Sequence, residues 1–263
     1  MTDNAASRHL VNRWSNAGEV RGVEDTVAEE VPIALVYNDI SYAVMMASPV
    51  DFEDFALGFS FTEGLIERAG EVYSIQAEQH QNGIELKLTV SSRVANRLQQ
   101  RTRLRVGDSG CGICGVEALE QVQRQPRKVM SQELSHQAIQ RAVANLSAVQ
   151  PLNRQTGAVH AAAWCDQAGD VLSVREDVGR HNALDKLIGN RFRTAAQAPG
   201  FVLVSSRASY EMVFKATQAG YGALVALSGA TAMAISVASA AELTLVGFAR
   251  AGKHVIYSGK VRA

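Results

Sequence analysis

An α/β fold, with helices covering a sheet, is predicted from the second half of the chain, where short apolar runs alternate with helical segments. Phe201–Val204, Leu224–Leu227 and Leu243–Phe248 are predominantly apolar, as strands buried on both faces require. Tyr210–Gln218 and Thr231–Ala241 read as helices beside them. Size agrees: 263 residues, 47% hydrophobic and 20% charged, suffice for a full core without disulfide or metal staples.

Taken in order, residues 1–24 show no hydrophobic period and are expected as a loose extension. Glu30–Tyr37 and Tyr42–Ala47 are β-rich runs flanking Asn38-Asp39, which suggests a hairpin. A helix is expected from Pro49, with Phe52, Phe55, Ala56, Phe59 and Leu65-Ile66 near a 3.6 period and Asp51, Glu53 and Asp54 in its first turn. Ile84–Val90 alternates like a half-exposed strand. Arg93–Arg105 is polar and basic and leads into Gly110-Cys111-Gly112-Ile113-Cys114-Gly115; Val116–Gln125 looks helical, and Ser135–Val149 reads as an amphipathic helix. The expected organisation is an extension at 1–24, an N-terminal α+β part at 25–130 and an α/β part at 131–263, with a soft boundary between 126 and 134.

Lys and Arg number 26 and so do Asp and Glu, which removes the electrostatic argument for a nucleic-acid or acidic-membrane partner. Ala216–Ala241 is uncharged, but Gly222–Ala241 holds only six Leu, Ile, Val or Met and is interrupted at Ser228-Gly229, so a strand, a turn and a small-residue helix explain it better than a membrane span. No signal-peptide h-region is visible, and the expected location is the cytoplasm. Three cysteines do not make a secreted disulfide framework.

The Cys111–Cys114 pair is the sharpest chemical signal. Gly110–Gly115 also spells GxGxxG, but the preceding Arg101–Val106 is too basic for the buried strand that a dinucleotide fingerprint needs. A structural zinc site needs four ligands, and only Cys165 remains, with no His-x₃₋₅-His pair. Thiol chemistry fits better: a glycine-rich loop opening a helix, with Arg101, Arg103 and Arg105 nearby, favours a thiolate, while Glu117 and Glu120 oppose it. Cys165, next to Trp164, reads as buried.

Three further clusters stand out. His160, before Ala161-Ala162-Ala163, reads either as a core histidine or as a catalyst; its likeness to the zinc deaminase opening fails because Ala162 stands where the proton-shuttling Glu would be. Asp177, His181 and Asp185 would share one face of a helix and hold the imidazole protonated, or else form an N-cap and a solvated face. Ser205–Ser209, Ser228–Thr231 and Phe248–Lys253 follow apolar strands, where α/β proteins bind phosphates, and Arg207, Arg250 and Lys253 could supply charge.

Taken together, the chain resembles the FdhD family, the sulfur carriers required for active formate dehydrogenase. The matching stretches are Glu29–Asn38, Val44–Pro49, Phe55–Phe59, Gly110–Gly115, Thr156-Gly157, His160–Ala163, Glu176–His181, Ser205–Met212 and Leu243–Phe248, in order over about residues 25–258. The resemblance implies a cytidine deaminase-like layered fold without the deaminase zinc. It implies a persulfide on Cys111, with Cys114 as second thiol, formed from a cysteine desulfurase. It implies transfer of that sulfur to the molybdenum bis(molybdopterin guanine dinucleotide) cofactor before insertion into formate dehydrogenase. The family's cofactor-contact segment matches Phe248, Ala249, Arg250, Ala251, Gly252 and Lys253, and guanine nucleotides are expected there. Some relatives have Pro and Arg at Ala251 and Lys253; lysine keeps the charge but lacks the bidentate fork. His160, Asp177, His181 and Arg207 are secondary pocket candidates. Two dinucleotide tails on the cofactor suggest a homodimer. The competing readings are a chaperone that delivers the cofactor without moving sulfur and a nicotinamide oxidoreductase resting on GxGxxG alone.

Overall fold

The computed structural model describes residues 5–107, 125–195 and 198–262. Cys111, Cys114 and nearly all of the helix expected at Val116–Gln125 lie outside the described residues.

The chain opens with a hairpin, β1 (Ala6–Ser15) and β2 (Gly18–Ala28), where a loose extension was expected. Cross-strand pairs hold it, Arg8 with Glu24 at 3.3 Å and Arg13 with Asp25 at 3.5 Å. Both faces are largely exposed, with Trp14 74% and Leu10 75% accessible, so no core-facing period marks it in the sequence.

A four-stranded sheet follows in the order β4-β3-β6-β5. Its strands are β3 (Val31–Tyr37), β4 (Ile40–Ala47), β5 (Val72–His80) and β6 (Gly83–Val90). The expected hairpin turns at Asn38 and Asp39, both with positive φ (43° and 65°), the requirement of a type I′ turn that Asn and Asp tolerate. Asn38 also bonds the Val90 amide and carbonyl at 2.8 and 3.0 Å, tying the turn to β6. Ile33, Leu35, Leu86 and Leu88 point inward onto Phe55 and Phe59 of α1 (Phe52–Thr62). α1 begins at Phe52 instead of Pro49 because Ser48 is held in a corner by groups from the second half of the chain. The polar, basic stretch, to which the sequence assigned no element, is a helix, α2 (Ser92–Gly107): Val94 and Leu98, one turn apart, are buried, and Arg93 and Arg97 pair with Glu67.

The second half builds a six-stranded sheet in the order β13-β12-β11-β10-β8-β9. After the two-residue β7 (Leu134–Ser135) come α3 (His136–Leu146), capped by Ser135, and α4 (Pro151–Thr156). β8 (His160–Asp166) and β9 (Val171–Asp177) form a hairpin, followed by α5 (Arg180–Arg193). β10 (Gly200–Val204), α6 (Tyr210–Gln218), β11 (Ala223–Ala226), α7 (Ala232–Ala241) and β12 (Thr244–Arg250) alternate as the apolar runs predict, and the three strands are parallel. β13 (Lys253–Ser258) returns antiparallel, and the short β14 (Val261–Arg262) pairs with β7.

Every residue of β10 is buried: Val202 and Val204 pack under α5, α6 and α7, while Phe201 and Leu203 face α3. The uncharged Ala216–Ala241 stretch is the end of α6, then β11, then α7, and no described helix is long and apolar enough to cross a membrane. α1 and α5 touch backbone to backbone. A Cβ on Gly58 would enter the Asp185 carbonyl, and one on Gly189 the Asp54 carbonyl, so neither position accepts a side chain without parting the helices.

Candidate functional site

Parallel strands place β10, β11 and β12 with their carboxyl ends on one edge of the sheet, together with the N-termini of α6 and α7. β8 runs the other way and starts there at His160; β9 ends there at Asp177, and α5 starts at Arg180. The strand-end loops singled out in the sequence are stitched together by backbone bonds. The Ala208 amide donates to Gly229, Thr231 donates to Ala208 (both 3.0 Å), and Phe248 donates to Ser228 at 2.9 Å. Ser205 joins β8 to the group, its Oγ accepting the Ala161 amide at 2.9 Å.

Phe248 sits where the β12–β13 register shifts, with φ 48°, a left-handed conformation that costs a bulky residue about 1 kcal/mol. Its half-exposed ring lies against Gly229, where a Cβ would come within 2.8 Å. Strain of this kind persists where surrounding structure enforces it, and here it keeps an aromatic face at the loop edge. Ala249 faces the core beneath α3. Arg250, Ala251, Gly252 and Lys253 form the tip of the β12–β13 hairpin, with Gly252 at φ 75° and the Arg250 and Lys253 residues paired in register and exposed. Thus Phe248 joins the loops, while the two cations project beyond them.

The helical spacing expected for Asp177, His181 and Asp185 does not occur, because Asp177 ends β9 and the helix begins at Arg180. Asp177 is wholly buried. Its carboxylate accepts from the Ser48 and Gly179 amides (3.0 and 2.7 Å) and from Asn182 (3.0 Å), and pairs with Lys186 at 2.7 Å. Asp185 is buried on Lys215 (2.8 Å) and Thr62 (2.8 Å), and burial pushes its carboxyl up. Its partner is therefore not His181, whose Nε2 lies 2.7 Å from Glu211 in the first turn of α6. Burial lowers the His181 value, with Arg180, Lys215 and Arg207 pushing the same way and Glu211 opposing, contrary to the expected protonated ring.

His160 stands opposite Asp177 in the β8–β9 register, its Nδ1 3.4 Å from Ser205 Oγ. Burial holds its imidazole below the usual value, then Arg180 lowers it further, and Asp177 opposes. Arg207 is exposed at the end of β10. Arg180, assigned no site role from the sequence, and Ser209 of the Ser205–Ser209 loop complete the edge: Arg180 Nε and Ser209 Oγ are buried there without a hydrogen-bond partner among the described residues. Ser209 stands immediately ahead of the predicted Tyr210–Gln218 helix, whereas Arg180 falls within the helix expected over Asp177–Asp185. Three helix N-termini, the Arg180 and Arg207 guanidinium groups and the unpartnered Ser209 hydroxyl make this edge suited to anions.

Elsewhere, Cys165 is buried and its thiol is pushed up to about 12 by desolvation, which makes it inert. Among the described residues the one group of three candidate metal ligands is Glu78, His80 and Glu85, whose carboxylates share Lys87 Nζ at 2.6 and 3.7 Å. A cleft of about 560 Å³ opens on the opposite sheet edge, lined by Trp164, Tyr221, Phe61 and Phe192, with Arg191 lying 3.6 Å over the Trp164 ring.

The FdhD/NarQ family model matches residues 28–263. A sulfur carrier protein FdhD of Cupriavidus necator is 51% identical over 254 residues, covering 96% of this chain and 88% of that protein. One of Xanthomonas euvesicatoria is 49% identical over 248 residues, covering 94% and 88%. A solved structure from Desulfotalea psychrophila, described as a candidate formate dehydrogenase accessory protein, superposes with a TM-score of 0.75 at 22% identity, covering 97% of both chains. That likeness is one of fold.

Proposed function

The chain belongs to the FdhD/NarQ family, and from that premise we propose that it is a sulfur carrier for formate dehydrogenase maturation, with Cys111 as the sulfur-bearing residue. The observation that carries this reading is the pairing of a Cys111-x-x-Cys114 motif with a whole-chain match to proteins named sulfur carriers. A Cys111 thiolate attacks the outer sulfur of a cysteine desulfurase persulfide; that S–S bond breaks, the desulfurase leaves as a thiolate, and Cys111 keeps the sulfane sulfur. Delivery as sulfide needs two electrons. Attack of the Cys114 thiolate on Cys111 Sγ supplies them, expelling sulfide and closing a Cys111–Cys114 disulfide, which a cellular dithiol reopens.

The acceptor in this proposal is the molybdenum bis(molybdopterin guanine dinucleotide) cofactor, bound as cargo. What supports it is the anion-suited sheet edge: helix N-termini and Arg180 and Arg207 for phosphates, and the exposed Phe248 ring for a guanine face. Arg250 and Lys253 at the hairpin tip add charge beyond the loops. Two copies, each offering one edge, match a cofactor with two nucleotide tails.

Incubation with a cysteine desulfurase and cysteine, followed by intact-mass measurement, should show one added sulfur atom that Cys111→Ala abolishes and a dithiol removes. Full cellular formate dehydrogenase activity with both cysteines replaced by Ala would instead favour a chaperone that delivers the cofactor without moving sulfur.

A further inference from the structure

The tip of the β12–β13 hairpin is fastened to α3 by a chain of hydrogen bonds whose direction can be worked out atom by atom. Gln140 Oε1 accepts the Gly252 amide at 2.7 Å, which fixes the side-chain amide and leaves its Nε2 as a donor. That nitrogen lies 3.2 Å from His254 Nδ1 and 3.5 Å from the Lys253 carbonyl. Nδ1 of His254 therefore accepts, so the proton of its neutral ring is on Nε2. Nε2 lies 2.8 Å from His136 Nδ1 and donates to it, and the two rings stack with centroids 4.8 Å apart. His136 in turn carries its proton on Nε2. The relay runs one way, from Gly252 through Gln140 and His254 to His136, and each acceptor nitrogen is already occupied.

We propose that Gln140, His254 and His136 form a proton-operated latch on the tip of the β12–β13 hairpin, closed while both imidazoles are neutral and released at Gly252 when His254 takes a proton. A proton added to His136 must land on Nδ1 and breaks the link between the rings. A proton added to His254 must land on its Nδ1, which expels the Gln140 amide or turns it over, and turning it over releases Gly252. The groups that face the His254 ring oppose a charge on it. His136, the first residue of α3 after its uncharged cap Ser135, stacks on that ring. Arg250 and Lys253, the charged residues of the tip, are cations. The ion pairs made by described histidines are those of His80 and His181, so neither latch ring has a carboxylate at ion-pair distance among the described residues. Burial and then the neighbouring His136 hold His254 below the usual imidazole value. The latch exists independently of ligand; its meaning as regulation rests on the reading of Phe248–Lys253 as a cofactor-contact segment.

Nitrogen-15 NMR of the full chain, titrated from about pH 8 to about pH 5, tests it. Both rings should show the Nε2–H tautomer at the alkaline end, and the Gly252 amide should shift with the midpoint at which His254 protonates. Gln140→Glu, whose carboxylate can accept both the Gly252 amide and an imidazolium, should move that midpoint up by roughly one pH unit; Gln140→Ala should flatten the Gly252 response. A Gly252 amide that stays still while both rings titrate, or a His254 ring with its proton on Nδ1, overturns the latch. Guanosine diphosphate affinity of wild type and Gln140→Ala, compared at one neutral pH, separates the two ideas. Weaker binding by Gln140→Ala extends the latch to ligand control. Equal binding alongside a positive NMR result leaves the latch standing and removes the tip from the ligand site.

Discussion

Two regions of the molecule are rich in charge, and they use it in opposite ways. Where α1 meets α5, the carboxylates are enclosed: Asp177 and Lys186 are both fully buried, Asp54 holds Arg175 at 2.6 Å and Arg193 at 2.9 Å, and Asp185 holds Lys215. Each of these pairs, or the hydrogen bonds around it, ties residues 46–62 to residues 175–215, as when Lys186 donates to the Ser48 carbonyl and Asn182 to that of Met46. At the strand-end edge Arg180 and Arg207 have no carboxylate at ion-pair distance among the described residues, and Glu211, the partner of His181, is exposed. The Glu176–Lys186 segment serves both regions, Asp177, Asn182 and Lys186 inward and Arg180 and His181 outward. Charge in a short motif is therefore not a single signal: burial decides whether it joins parts of a fold or waits for a ligand.

The largest effect expected from this contrast is on stability. Asp177→Ala leaves the Lys186 ammonium buried without its counter-ion and three donors without an acceptor, and should cost about 3–5 kcal/mol in denaturant unfolding. A loss below about 1 kcal/mol would mean that the junction is held by apolar packing of α1 on α5, not by its ions.

Arg207→Ala probes the other region and should do the reverse. The side chain is exposed, so unfolding should stay within about 0.5 kcal/mol of wild type. Guanosine diphosphate binding should weaken about 10-fold, the consequence of losing one charge-assisted phosphate contact of roughly 1.5 kcal/mol. An early-melting Arg207→Ala protein, or one that binds as before, would erase the distinction between the two regions.

What the sequence makes legible divides along the same line. The apolar runs at 201–204, 224–227 and 243–248 place β10, β11 and β12 within two residues, because strands buried on both faces leave an unambiguous record. Convergence of the three loops follows from parallel order alone. The ion pairs do not: Asp54 and Arg175 are 121 positions apart, and nothing local in either segment names the other. The Asp177–His181–Asp185 spacing misled because a four-residue interval marks a helical face only if a helix spans it, and here a strand ends inside the interval. The β1–β2 hairpin was hidden for the converse reason, since a ribbon with two wet faces has no buried period to detect.

The smallest effect comes from His160, which sits between the two regions with Asp177 behind it and the open edge in front. Its folded imidazole is held below the ordinary value of 6.5, so near that pH the unfolded chain binds more protons than the folded one. The contribution to stability is thus present above about pH 6.5 and is lost as pH falls through the folded value. His160→Gln should flatten the acid side of a melting-temperature profile without altering its neutral plateau. Ligand reverses the sign locally: a polyanion at the strand-end edge favours the imidazolium, so guanosine diphosphate should bind with proton uptake in wild type and shrink the acid-side loss. If the ligand changes the acid limb equally in wild type and His160→Gln, the ring faces the buried junction and has no part in the open edge.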